Sequence, residues 1–230
     1  MMKAVRAVLY FLYTMILYLG YPLLGWGLRD VRGFFALPQR AAYAVVVALL
    51  GVGAGWQGMR SPEGLRGGPW EAGKRVRRQT IVRYAIVLAL YAALLFLPFA
   101  DRRGIAVLPA HATLRWVGVV LFGLGCLCIF WSGVALGRLY SPEVTIQKDH
   151  HLVTVGPYCY IRHPRYLGAC LLAVGLALVF RSWIGLAAIV PFLAVLLLRI
   201  RDEEALMHAE FGQEWEAYAR RSWRLIPFVF

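Results

Sequence analysis

Between Tyr166 and Ile200 the sequence is almost continuously apolar, broken only by Arg181-Ser182-Trp183. A run this apolar belongs in lipid, where every backbone N–H and C=O must be satisfied within the segment, so it has to be helical. One unbroken helix of that length would measure roughly 52 Å, against a hydrocarbon core of about 30 Å. Two helices folded into a tight hairpin at Arg181–Trp183 resolve the mismatch.

The rest of the chain repeats the theme. Sixty per cent of its 230 residues are hydrophobic and only 16% are charged, where a soluble domain has about a quarter charged. Further spans are expected at about 4–28, 41–57, 81–99 and 114–137. Tyr18, Tyr21 and Trp26 are placed as interfacial anchors of the first span, and Pro98 with the pair Arg102-Arg103 as the stop of the third. The apolar run after Lys3 and Arg6 is too long for a cleavable signal peptide. Gly51-Val-Gly-Ala-Gly55 resembles part of a nucleotide loop but lacks a preceding strand, so it reads as small-residue helix packing. Gly123, Gly125, Gly133 and Gly137 suggest the same for the fourth span. The expected fold is therefore an all-α integral membrane protein of about six transmembrane helices, the last two a hairpin, with an interfacial C-terminal helix around Phe211, Trp215 and Tyr218. Its parts are an N-terminal helix pair (1–57), a basic loop (58–80) and a core (81–230) whose functional region is 138–230.

The formal net charge of +13 fits lipid better than nucleic acid. With an even number of spans, 18 of the 25 Lys and Arg fall on the side that carries both termini. The positive-inside rule places that side in the cytoplasm, against anionic lipid headgroups. The chain reads as a multi-pass membrane protein with no nucleic-acid partner. Cys126, Cys128, Cys159 and Cys170 have neither disulfide nor metal spacing and read as reduced, space-filling residues. His111 and His208 read as surface residues.

Against this apolar background, residues 150–168 stand out: three His, two Arg, three Tyr and two Pro in nineteen positions. Gly156-Pro157 and His163-Pro164 interrupt helix, leaving irregular backbone that must face protein or a polar cavity. Singly, Arg162, Arg165 and the tyrosines read as snorkelling and interfacial groups. A second polar group, Arg199 to Glu204, closes the last span, with Arg199 and Glu203 on one helix face. The two free ends of a hairpin lie together. His163–Tyr166 and Arg199–Glu203 should therefore share a pocket of imidazole, guanidinium, phenol and carboxylate at the membrane surface.

These residues resemble the isoprenylcysteine carboxyl methyltransferase family and the wider membrane methyltransferases that include phospholipid methyltransferases. The likeness rests on His150-x-Leu152-Val153-Thr154-x-Gly156-Pro157-Tyr158, on Arg162-His163-Pro164-x-Tyr166-x-Gly168 and on Arg199 to Glu204. It continues through Phe211-Gly212 and Tyr218 to Leu225-Ile226-Pro227. The resemblance implies S-adenosylmethionine as methyl donor, held between the polar stretch and the hairpin ends under a lid formed by the tail. His150, Leu152, Val153, Tyr158, His163, Pro164, Tyr166 and Glu203 match the family's cofactor contacts, and Arg199 its substrate-positioning arginine. No metal is implied.

The chemistry of the residues is compatible with that donor. Tyrosine faces attract a sulfonium, Glu203 an ammonium, and Arg or His a carboxylate. The acceptor implied first is an isoprenylcysteine-type carboxylate, a lipophilic substrate from the bilayer. The hairpin turn lacks the asparagine-proline of the eukaryotic enzymes, and Glu143 stands where an amide is expected. Phospholipid or small-thiol methylation, a sterol-reductase-like NADPH enzyme and a non-catalytic lipid-binding protein are the alternatives.

Overall fold

The computed structural model describes residues 2–60, 70–75, 77–137, 145–147 and 152–229. Helix α1 (Met2–Met15) passes through a π-helical turn at Ile16–Gly20 into α2 (Tyr21–Trp26). A short α3 (Val31–Phe35) leads to α4 (Pro38–Arg60), α5 (Arg77–Arg103) and α6 (Ala112–Leu136). The hairpin follows as α7 (Pro164–Val179) and α8 (Trp183–Phe211), and α9 (Gln213–Arg220) closes the chain. The backbone described within the loops adds one short antiparallel pair, β1 (Trp70–Arg75) with β2 (Thr145–Gln147). A loop rather than a strand was expected at the first of these positions.

Among the described residues, five helices are long and apolar enough to cross a membrane: Lys3–Trp26, Pro38–Arg60, Gln79–Arg103, Ala112–Leu136 and Trp183–Phe211. The sixth apolar helix, α7, has 16 residues, about 24 Å, short of a full hydrocarbon core. The protein is an all-helical, multi-pass membrane protein apart from the short β pair.

Helices alternate in direction, and small residues set their spacing. On α6, a Cβ at Gly118 would lie 2.6 Å from the Val179 nitrogen, and one at Gly125 2.6 Å from the Gly168 carbonyl oxygen. On α7, a Cβ at Gly168 would meet the Gly125 oxygen at 2.8 Å, and one at Gly175 the Gly118 oxygen at 2.7 Å. This four-glycine seam lets the short α7 lie backbone to backbone on α6, the way membrane helices gain packing without a hydrophobic driving force. Gly51 and Gly55 of α4 accommodate Phe11 and Ala7 of α1 in the expected manner. Of the α6 glycines singled out in the sequence, Gly125 alone belongs to the seam with α7. Gly123 and Gly133 face Val46 and Gln57 of α4, and Gly137 has open space around it with φ +51°.

Three local expectations are corrected. Trp26 is buried, stacked under the Arg40 guanidinium and against Phe34, and Tyr18 packs edge-on to Phe122 in the core. Both serve the interior rather than anchoring at an interface. Helix α5 continues through Pro98 to Arg103, since a membrane helix tolerates proline where neighbouring helices support it. Finally, α8 does not end near residue 200. Its charged extension Arg201–Glu210 contains good helix formers and no breaker, and the helix stops only at Gly212, with φ +47°.

Candidate functional site

His163 caps α7 in non-helical geometry, and Pro164 occupies the first helical position, where a missing amide hydrogen costs nothing. This aims the first turn of α7 at the polar end of α8. The Tyr166 hydroxyl donates to Glu203 Oε2 at 2.7 Å and accepts from Arg199 Nε at 2.8 Å. Arg199 is buried, and its guanidinium carbon stands 5.9 Å from the centre of the Tyr166 ring. The imidazole of His163, also buried, stacks on that ring at 5.5 Å and 21°. The structure thus unites His163, Pro164, Tyr166, Arg199 and Glu203 across a gap of more than thirty residues.

A second assembly lies beside it. Glu204 Oε1 takes hydrogen bonds from Arg162 Nε and Arg224 Nε, both at 3.1 Å, and lies 3.3 Å from His163 Nε2. Arg224 Nη2 reaches Glu204 Oε2 at 2.8 Å. Arg162 Nη1 also donates to the carbonyls of Ala219, at 2.8 Å, and Ser222. The backbone completes the clasp: Arg162 N donates to Trp223 O at 2.7 Å, Trp223 N to Tyr160 O at 2.8 Å, and His163 N to Arg224 O at 3.1 Å. The tail therefore lies strand-like against residues 160–163, fixed at its centre by one carboxylate and two guanidinium groups.

Tyr158 is buried, and its carbonyl accepts from the Tyr218 hydroxyl at 2.7 Å. Burial pushes the Tyr218 phenol up to about 12, so it remains a donor. Tyr158 thus sits against the tail helix, with its phenol also in electrostatic range of Glu203 and Arg165. Leu152 and Val153 are partly exposed, in irregular backbone ahead of the Gly156–Cys159 turn. His150 and Glu143 lie outside the described residues. Cys159 is exposed, its thiol 2.8 Å from the Gly156 carbonyl oxygen, so it fills no interior space.

Arg224 and Ser222 were not visible as site residues in the sequence. No local pattern marks them, because their role depends on the tail turning back after α9. The pairing of Glu204 with Arg162 was likewise hidden, although both lie in stretches already marked as polar.

A family model described as phospholipid methyltransferase matches residues 113–214, which contain α6 and the whole hairpin. Over those residues the chain is similar to the phospholipid methyltransferase family. A probable protein-S-isoprenylcysteine O-methyltransferase of Oryza sativa subsp. indica is 30% identical over 50% of this chain and 61% of its own length. A nickel-cobalt-cadmium resistance protein of Alcaligenes xylosoxydans xylosoxydans is 35% identical over 49% of this chain and 52% of its own. The chain thus spans roughly half to three-fifths of these relatives. Among solved structures, the eukaryotic intramembrane Ras methyltransferase ICMT superposes with a TM-score of 0.54 and 20% identity, covering 97% of this chain and 83% of that one. That likeness establishes the fold.

Proposed function

We propose that this protein transfers a methyl group from S-adenosylmethionine to the carboxylate of an isoprenylcysteine-type acceptor drawn from the bilayer. The observation that carries the reading is the Arg199–Tyr166–Glu203 relay, which joins the two resemblance motifs through one phenol. A zwitterionic sulfonium donor asks for a carboxylate, a cation and aromatic faces within one site, and this set supplies all three. Glu203 and the stacked His163 and Tyr166 rings would hold the donor, with Leu152, Val153, Tyr158 and Pro164 along its approach and His150 as a further contact. When bound, the donor supplies an electrophilic methyl on sulfur.

What the chain contributes is alignment and dryness. A carboxylate acceptor is already ionised at neutral pH, so no general base is required. Arg199, buried midway along α8, would orient it by paired N–H donors. Exclusion of water by the tail strips solvation from a charged pair whose charges cancel as the methyl moves, which lowers the barrier. An apolar groove of about 540 Å³ between α4 and α6, lined by Leu49, Leu50, Trp56, Leu127 and Phe130 among others, supports a lipophilic acceptor.

The test is a product screen with methyl-labelled donor. Purified protein should transfer label to a short S-prenylated cysteine as a base-labile methyl ester, and Arg199→Gln should raise KM for that acceptor more than for the donor. Label appearing in phospholipid amines would favour the second reading, which the phospholipid methyltransferase family model keeps in view. Absence of calorimetric binding of the donor or its demethylated product would sink both.

A further inference from the structure

At the end of the bundle opposite the candidate site, three arginines converge on one carboxylate. Asp101, whose side chain is 1% exposed, accepts from Arg115 Nη1 at 3.0 Å, Arg115 Nη2 at 2.9 Å and Arg181 Nε at 3.0 Å. Arg40 is the third cation, with its side chain 5% exposed and its Nη1 3.7 Å from Asp101 Oδ2, beyond hydrogen-bond reach. Its Nη2 donates to the Gly33 carbonyl at 3.0 Å, while Nε and Nη1 are buried without an acceptor. The neighbouring Arg102 and Asp30 pair with each other at 3.5 Å and add no net charge.

Four polypeptide segments contribute to this cluster: the first turn of α4, the end of α5, the first turn of α6 and the α7–α8 turn. Three guanidinium groups against one carboxylate leave two uncompensated positive charges in a region shielded from water. Carbonyl dipoles take up some of the donors, with Arg115 bonded to Val179 O and Arg181 to Leu108 O. Dipoles and a trapped water can satisfy N–H groups, but they leave the net charge uncancelled. An anion does both.

We propose that this cluster is a binding site for a phosphate-class oxyanion, separate from the methyl-transfer site and independent of that reading. The guanidinium fork matches a tetrahedral oxyanion, and Arg40 presents two unused nitrogen donors. The Arg181 side chain, 15% exposed, is the most accessible of the three. The end of a membrane bundle meets two sources of such a group, a phospholipid headgroup and free phosphate.

The experiment follows the melting temperature of delipidated full-length protein in neutral detergent. One arm titrates inorganic phosphate, and the other titrates short-chain phosphatidylglycerol, each against chloride at matched ionic strength. Either probe should stabilise the wild type, and the more potent one identifies the source. Arg40→Gln should weaken the apparent affinity about tenfold or more, in line with the loss of a charged hydrogen bond. Arg181→Gln, on the more exposed side, should do likewise and serves if the first variant does not fold. Asp101→Asn raises the net positive charge and should tighten binding, a direction that a merely structural ion pair does not predict. The proposal is overturned if neither probe stabilises the wild type beyond chloride, or if the two arginine variants respond as the wild type does.

Discussion

One hydroxyl joins the two halves of the candidate site. Tyr166 accepts from Arg199 and donates to Glu203, so Tyr166→Phe removes one acceptor from a buried guanidinium and one donor from a carboxylate. Hydrogen bonds to charged groups contribute about 1.5–3 kcal/mol. The expected outcome is a fall in kcat/KM of roughly ten- to a hundredfold with circular dichroism unchanged, and it should not add to the effect of Glu203→Gln, because both variants break the same relay. An additive double mutant would show that the phenol and the carboxylate act separately. Glu204 plays a different part, since it holds the tail rather than the pocket. Glu204→Gln removes the charge that Arg162 and Arg224 share, and limited proteolysis should then cut between residues 205 and 224 at least several times faster than in the wild type.

At the scale of elements, the spacing of α6 and α7 follows from glycines on both sides of the seam. Gly125→Ala would push a methyl into the Gly168 carbonyl and the Leu172 backbone. Backbone cannot step aside as a side chain can, so a loss of about 1–3 kcal/mol is expected, read as a lower melting temperature in detergent. Gly123→Ala on the same helix is the control: its Cβ would meet Val46 no closer than 3.8 Å, and it should stay within about 0.5 kcal/mol of wild type. Equal effects from the two would remove the seam from the explanation. The same contrast shows what could be read from the sequence. The hairpin was legible because a length mismatch against the bilayer is a one-dimensional fact, and its legibility placed Tyr166 beside Arg199 and Glu203. The seam was not. Gly118 gains meaning only beside Gly175, and although Gly125 was singled out by spacing, so were Gly123, Gly133 and Gly137, which lie outside the seam. The Glu204 clasp and the Asp101 cluster were hidden for the same reason: each gathers charges from segments that only the folded chain brings together.

Across the whole molecule, the alternation of helices puts the N-terminus, the start of α7 and the end of α8 at one end of the bundle. The turn after α5 and the α7–α8 turn lie at the other. The charges differ between the ends in kind as well as number. Three of the arginines at the far end, Arg40, Arg115 and Arg181, are drawn in around Asp101, so they contribute little to the exposed positive charge that sets orientation. Discounting them strengthens the charge bias behind the proposal that the candidate site faces the cytoplasm, where its proposed donor would be found. Topology reporters check this directly. Fusions at the two termini should both report the cytoplasm, and a reporter inserted at Gly104, an exposed turn position with φ +68° and open space around it, should report the opposite side. Terminal reporters on opposite sides would mean that the short α7 does not cross the membrane with α8. The hairpin would then enter and leave by different routes, and the proposed cytoplasmic placement of both termini would fall.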